Sequence, residues 1–446
     1  MNHTAPASAL DAPVTPSAAR WGIVALLVAY SFMSWFNRVS ISAAYDEHIS
    51  RDYRIDEETI GYVYSAFFFA YMICMTPGGW CIDRFGPWAA LVVMGFGSSL
   101  FCAATSLTGV FPLTATGLVA ALFVVRALMG VCTAPIYPAA GRLVSYWLPP
   151  SGRAWANGLV QGAAGVGIAL AFPLFGLLMD ATSWPAAFAI TAAVTLLLAL
   201  LWTLLASDAP ASPSAAPAAP APPQIAKRPA VEWGLLLRNR SLLFLTVAYA
   251  AVGYVEYLFF FWIHYYFEDV LHVGKEASRY YSMILLLAMA AGMIGGGWLS
   301  DYLRWRFSGR AGRVLLPAFG LALSGALLLL GVLAEETVWI VLLLSAALAA
   351  IGATEAPVWT LSVELGGRQG GSAAAICNTG GNAGGLLAPI VTPAVSGWVA
   401  RAFDVDKQTG WQWGIALGAL IAVCGAVLFL RIESRRGAEL PPSGND

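Results

Sequence analysis

The strongest constraint in this sequence is a series of apolar stretches, each about as long as a bilayer is thick. About 20 mostly apolar residues in helical form span the hydrocarbon core. Stretches that qualify fall at 21–43, 60–82, 88–108, 114–138, 154–178, 184–205, 242–264, 280–302, 314–334, 338–361, 372–399 and 411–431. Inside lipid every backbone N–H and C=O must be bonded within the protein, so runs of this length are read as helices. The composition agrees: of 446 residues 59% are hydrophobic and 11% charged, where a soluble domain is about one quarter charged. A net charge of −1 gives no footing for nucleic acid. Six dispersed cysteines and four scattered histidines form no metal-ligand, Ser/His or paired-carboxylate spacing. The chain is therefore not expected to be an enzyme or to hold a metal or cofactor.

Between the sixth and seventh stretches lies a Pro/Ala-rich run, 209–223, which cannot build a core and reads as an extended linker. The expected organisation is a disordered cytosolic tail at 1–20, a six-helix bundle at 21–206, a cytosolic linker at 207–240, a second six-helix bundle at 241–432 and a tail at 433–446. With the N-terminus in the cytosol, 16 of the 24 Lys and Arg fall inside, 6 outside and 2 within spans. That bias predicts cytosolic termini. The first outer loop is acidic (Asp46, Glu47, Asp52, Asp56, Glu57, Glu58) and reads as a solvated loop.

The halves repeat. Gly78-Gly79-Trp80-Cys81-Ile82-Asp83-Arg84 follows the second span, and Gly296-Gly297-Trp298-Leu299-Ser300-Asp301-Tyr302 follows the eighth. Ala134-Pro135-Ile136-Tyr137 is echoed by Ala356-Pro357-Val358-Trp359, and Asn157 with Gln161 by Asn378 with Asn382. The expected fold class is an all-α integral membrane protein, twelve transmembrane helices in two pseudo-symmetric six-helix bundles. Such duplicated architectures bind substrate at the midplane between the halves.

Two basic residues fall inside spans, Arg38 and Arg126. Each costs roughly 2.5–3.5 kcal/mol on insertion scales and so faces a cavity or a partner. Guanidinium offers bidentate pairing to a carboxylate and stays charged; two of them suit an anion. Counting from Arg20 sets Arg38 about 27 Å along its helix, in the outer half, unless the helix runs on towards His48. The rival readings are an Arg38 reaching for the outer interface and an Arg126 engaged in a structural contact. Glu256 and Glu355 are intramembrane acids that can carry a proton, partner an arginine or bond within their bundle. Tyr71 and Tyr257 lie on aromatic faces; Gln161, Asn378 and Asn382 are amides that bind polar groups or join helices. Trp262, Tyr265 and Tyr266 read as either site or interface aromatics. His264 and His272 read as surface residues.

In Gly79-x-x-x-Asp83-Arg84-x-Gly86, glycine permits close helix ends, Asp83 suits the start of the next helix and Arg84 can pair across the halves; Asp301 is the repeat's counterpart. This stretch resembles the loop motif of the major facilitator superfamily, and Arg126-x-x-x-Gly130 resembles its fourth-span arginine motif. The closer resemblance is to the anion:cation symporter family of organic-anion transporters. It is carried by Asn37-Arg38, Ser65-Ala66-Phe67, Tyr71, Pro77-Gly78-Gly79, Arg126 with Pro135 and Pro138, and Asn378-x-x-Gly381-Asn382-x-Gly384-Gly385 with Pro389. The resemblance implies a bacterial inner-membrane symporter, expected as a monomer, moving sugar acids, other hydroxy-acids or dicarboxylates. It implies Arg38, Arg126 and Tyr71 at the substrate, with Gln161, Asn378 and Asn382 beside them; the Tyr257 hydroxyl, on its aromatic helix face, is a further candidate for substrate contact. Two positions depart from the family pattern: Asn37 and Thr133 stand where proton-coupled relatives commonly carry acids. That leaves Glu355 and Glu256 as the coupling candidates. A facilitator or exchanger, metabolite efflux and a non-transporting sensor are the other readings.

Overall fold

A computed structural model describes residues 17–148, 150–208, 233–307 and 310–433. Most of the expected tails and linker lies outside these residues; of the part described, Ser17 to Arg20 belong to the first helix and Trp233–Arg238 form a short helix. Twelve helices are long and apolar enough to span a membrane: α1 Ala19–Tyr53, α2 Glu57–Met75, α3 Pro87–Val110, α4 Ala115–Trp147, α5 Ala156–Ala181, α6 Trp184–Leu205, α7 Arg240–Val270, α8 Lys275–Arg306, α9 Ala311–Leu333, α10 Thr337–Gly366, α11 Gly370–Phe403 and α12 Lys407–Leu430. Each coincides with one apolar stretch of the sequence. Large apolar side chains such as Leu197, Ile294, Trp298 and Leu330 cover the outside, as a helix bundle in hydrocarbon requires.

The packing repeats as the sequence does. In the first half α1 packs on α5, α2 on α4 and α3 on α6; in the second α7 packs on α11, α8 on α10 and α9 on α12. The halves meet along α2–α11 and along the equivalent pair α8–α5. Glycine sets the closest approaches: the place of a side chain on Gly130 of α4 is taken by the carbonyl of Phe67 on α2, and that on Gly352 of α10 by the carbonyl of Met289 on α8. Both α4 and α10 are interrupted by a turn, after Thr133 and after Gly352. In α4 the turn contains Pro135, which has no N–H to continue the ladder.

The face where α1 begins and α12 ends is the terminal face. There Gly86 takes a left-handed φ of 87° between α2 and α3, a conformation glycine adopts without strain. At the N-terminus of α3 the Asp208 carboxylate accepts the Trp88 N–H at 2.7 Å. Asp83 sits three residues before the Gly86 kink, within the helix that continues α2.

The opposite, far face holds the larger surprise. Both α1 and α7 run past their apolar stretches through π-helical segments, Tyr45–Ile49 and Tyr266–Val270. The acidic stretch after residue 45 is therefore only in part the solvated loop expected: Asp46 and Glu47 are buried, while Asp52 and Asp56 are exposed. Glu47 accepts Arg279 Nε at 2.8 Å and Nη2 at 2.6 Å, and Asp180 accepts Arg279 Nη1 at 2.5 Å. Arg51 reaches Glu268 at 2.7 Å, Arg401 reaches Glu58 at 3.2 Å and Lys407 reaches Glu57 at 3.2 Å. Ser65 Oγ of α2 donates to the Leu386 carbonyl of α11 at 2.7 Å. All these contacts join the two halves. His264 is fully buried rather than superficial, and Trp262, Tyr265 and Tyr266 pack inside the bundle instead of forming an interface belt.

Near the terminal face Arg313 pairs with Glu364 inside the second half. Gly165 of α5 still meets Ala290 of α8, but one and two turns towards that face Gly162 and Gly158 have nothing within 4 Å of a side-chain position. Among the described residues the halves are joined by ion pairs at the far face, and the α5–α8 contact ends short of the terminal face.

A bulky group at the α8–α10 contact must push two backbones apart. Gly352→Leu is expected to lose about 1–3 kcal/mol of stability, read as a lower melting temperature in detergent. Gly295→Leu on the same pair of helices, where a side chain meets nothing, is expected to stay within about 0.5 kcal/mol of the parent.

Candidate functional site

Because α1 extends to Tyr53, Arg38 lies near the middle of a 35-residue helix, not in its outer half. It is 1% exposed, so it does not reach for the interface. Its guanidinium carbon lies 4.0 Å from the Trp35 ring centre, 4.3 Å from Phe67 and 5.1 Å from Tyr71. Cation–π attraction at a desolvated site is worth about 2 kcal/mol, which offsets part of the burial cost. Nε and Nη2 of Arg38 have no hydrogen-bond partner.

Arg126 is placed against α1 rather than against a ligand space. Nη1 donates to the Asn37 carbonyl at 3.2 Å and Nη2 donates to the Arg38 carbonyl, leaving Nε unpartnered. A carbonyl has a second lone pair beyond its helical bond, so the guanidinium fork can tie two successive peptide units of α1 to α4. The rival reading of Arg126 as a structural contact thus has a geometric basis, and it does not remove the charge. Among the described residues neither arginine has a carboxylate within ion-pair distance. Two adjacent cations stand in the apolar core with no protein anion to balance them.

The positions that depart from the family pattern are engaged in structure. Asn37 Nδ2 donates to Thr195 Oγ1 of α6 at 2.9 Å, and Thr133 Oγ1 donates to the Met129 carbonyl of its own helix at 2.9 Å. Neither can titrate.

Around Arg38 the structure gathers most of the other candidates. Tyr71 stacks on Phe67, with ring centres 6.0 Å apart. One turn on, Met75 faces α11 across the halves, where Asn378 Nδ2 and Asn382 Nδ2 approach its sulfur at 3.6 and 3.9 Å. Asn382 Nδ2 also donates to the Asn378 carbonyl at 2.9 Å. Tyr257 packs edge-on against Phe68 at 4.5 Å, near Trp35 at 6.1 Å. Gln161 stands apart: it is exposed, on the same side of α5 as Gly158 and Gly162. The acids lie in the second half. Glu355 accepts Tyr249 Oη at 3.1 Å and Trp359 Nε1 at 3.1 Å, while Glu256 is buried with Oε1 unpartnered. Of the loop motif, Arg84 is exposed over the Trp80 and Phe85 rings, each at 5.6 Å, and Asp301 is exposed; the Arg84 pairing across the halves is not formed here. Gly79 is half-buried beside Trp80.

Reading the sequence missed Trp35 and Tyr137. Trp35 caps the Arg38 guanidinium and donates Nε1 to Tyr137 Oη at 2.5 Å. Tyr137 follows the α4 break, so the repeated Ala-Pro-Ile-Tyr segment was the signal available.

A family model described as Major Facilitator Superfamily matches residues 26–389. The chain is 27% identical to the "Probable sulfoacetate transporter" of Cupriavidus necator, over 83% of this chain and 85% of that one. It is also 27% identical to the "Probable galactarate/D-glucarate transporter" of Bacillus subtilis, over 88% and 89%. Among solved structures, a bacterial homolog of the human lysosomal transporter Spinster, titled inward-facing and unoccupied, superposes with a TM-score of 0.76 at 18% identity, covering 94% of this chain and 97% of that one. At that identity the likeness concerns the fold.

The two arginines should respond oppositely to loss of charge. Arg126→Met removes donors from two buried carbonyls and is expected to cost about 1–3 kcal/mol. Arg38→Met removes an unbalanced buried charge and is expected to melt at or above the parent temperature, by up to about 1 kcal/mol. Thermal unfolding of the purified variants without added anion reads both.

Proposed function

The chain belongs to the Major Facilitator Superfamily, and on that footing we propose that it carries small organic anions across a bacterial inner membrane by alternating access. One observation carries the reading: two adjacent guanidinium groups in the membrane core with no balancing carboxylate among the described residues. Removing one partner from a buried pair leaves the other charge at a cost of about 3–5 kcal/mol. An anionic substrate is the partner that such a site accepts. The relatives named for sulfoacetate and for galactarate and D-glucarate support the same class: small polar bodies bearing carboxylate or sulfonate.

In this reading Arg38 holds the anionic group through its free Nε and Nη2, and Arg126 keeps α1 in place and adds its charge. Tyr71, Tyr257, Asn378 and Asn382 bind the polar body from both halves, and Gln161 lines the path to the terminal face. The excess of basic residues in the loops of that face supports cytosolic termini. The molecule then stands open to the cytosol and sealed outside. Arg84 and Asp301, apart here, are the groups available to close the cytosolic side, with Gly79 and Gly86 letting the helix ends approach. The carrier works as a monomer, since both halves of the site come from one chain.

Proton coupling falls to Glu355 or Glu256, because Asn37 and Thr133 cannot titrate. Glu355 is the better supplied: its Oε2 is fixed by Tyr249 and Trp359, and its Oε1 is free to take a proton. A facilitator or exchanger of the same anions is the reading that remains if neither acid couples.

Uptake of radiolabelled D-glucarate, D-galactonate and sulfoacetate into proteoliposomes tests this directly. Arg38→Ala and Arg126→Ala are each expected to lower initial rates by at least about tenfold; normal transport by both sinks the anion site. Asn378→Ala is expected to raise KM by up to about tenfold for a hydroxylated substrate. An inward proton gradient should accelerate uptake by the parent but not by Glu355→Gln or Glu256→Gln, whichever carries the proton; indifference in the parent leaves the facilitator or exchanger.

A further inference from the structure

At the far face the π-helical ends of α1 and α7 bring a histidine between two carboxylates. His264 Nε2 lies 3.2 Å from Glu47 Oε1, in the other half, and 3.1 Å from Glu268 Oε2, one turn along its own helix. His264 Nδ1 lies 2.6 Å from Ser278 Oγ, and the same hydroxyl donates to the His264 carbonyl at 2.8 Å. A serine has one proton to give. Given to the carbonyl, it leaves Oγ to accept from Nδ1–H. Nε2 faces two carboxylate oxygens, so it must carry a hydrogen too. Both ring nitrogens donate only in the imidazolium.

The surrounding charges ask for the same thing. From α1 come Asp46 and Glu47, and from the end of that helix Arg51. From α7 come Glu268 and Asp269, from α5 Asp180, and from α8 Lys275 and Arg279. Five acids meet three permanent cations. Arg279 and Arg51 are committed to Glu47 with Asp180, and to Glu268 with Asp269; Lys275 pairs with Asp180. Asp46 is buried with neither carboxylate oxygen partnered. Glu47, His264 and Glu268 also have the spacing of metal ligands, but both oxygens of Glu47 already accept from Arg279, whose charge opposes a metal ion. A proton needs no such vacancy.

We propose that His264 is a proton-binding site that latches the far gate. Imidazole takes one proton as Glu47 closes on α7, and imidazolium returns it to the same side when the halves part and Glu47 withdraws. The closed form then binds the proton more tightly than the open form, so acid favours closure and rising pH releases it. The inference rests on the alternating-access reading but needs no substrate to be tested.

Full-length protein in nanodiscs, its six native cysteines replaced, is spin-labelled at Asp52→Cys and Ala402→Cys, exposed sites on the far ends of the two halves. The distance between labels is measured from about pH 6 to about pH 9. The closed-to-open ratio is expected to fall by up to about tenfold per pH unit in the labelled parent. With His264→Gln added it should be flat. Ser278→Ala, which keeps the histidine but removes the Nδ1 acceptor, should move the transition to lower pH. A pH-indifferent parent gate, or a His264→Gln curve matching the parent, overturns the latch and leaves the substrate reading untouched. Closure driven by added Zn²⁺ in the parent and lost in His264→Gln assigns the site to a metal instead.

Discussion

An unbalanced positive charge in the middle of a bilayer is the condition the rest of this molecule answers to. Arg38 is buried, and among the described residues no carboxylate lies within ion-pair distance of it. The protein tolerates it by surrounding it with π-faces and by fixing the helix that carries it. Trp35, Phe67 and Tyr71 give the guanidinium electron-rich surfaces, which attract a cation without neutralising it. Arg126 grips the backbone of α1 next to it, and Asn37 ties the same turn to α6. The site is held in place by these contacts before any ligand arrives, and its net charge is left unspent.

The same logic runs the other way at the far face. There charge is met by opposite charge, and the arginine and lysine pairs that meet it cross from one half to the other. Glu47 with Arg279, Glu268 with Arg51 and Glu58 with Arg401 all require the halves to touch. Separation strands buried Glu47 and Arg279 unless water reaches them at once. A buried pair broken in this way costs far more than a surface pair. In the proposed alternating-access cycle, closure would therefore be a discrete state rather than one end of a continuum. The centre, whose charge is unmet, and the gate, whose charges are met only by closure, divide the electrostatic work of the molecule.

Much of this was legible in the sequence, and the reason for each gap is physical. Twelve spans, the duplication and the two arginines follow from hydropathy and from charge in apolar surroundings. These are local properties, and Arg38 is as anomalous in the string as in the fold. The acidic stretch at Asp46 and Glu47 misled because hydropathy ends a span where polar residues begin. A π-helical extension adds buried polar turns that hydropathy counts as loop. His264 misled for a related reason: one of the two carboxylates that meet it, Glu47, lies 217 residues away on the other half. Asp208, capping α3 from beyond α6, was hidden in the same way. A pairwise charge balance across the duplication is a property of the folded interface, not of any window of the chain.

The far-face pairs differ in depth, and that difference grades how the surrounding medium acts on them. Arg401 and Glu58 have side chains 71% and 44% exposed, whereas Arg279 and Glu47 are at 4% and 0%. Dissolved ions screen the outer pairs within about a Debye length and scarcely reach the inner one. Ionic strength at the far face thus acts on the rim pairs while the pair beneath them stays indifferent. In the proposed latch, salt and acidity would be separate controls, set by how far each charge lies from water.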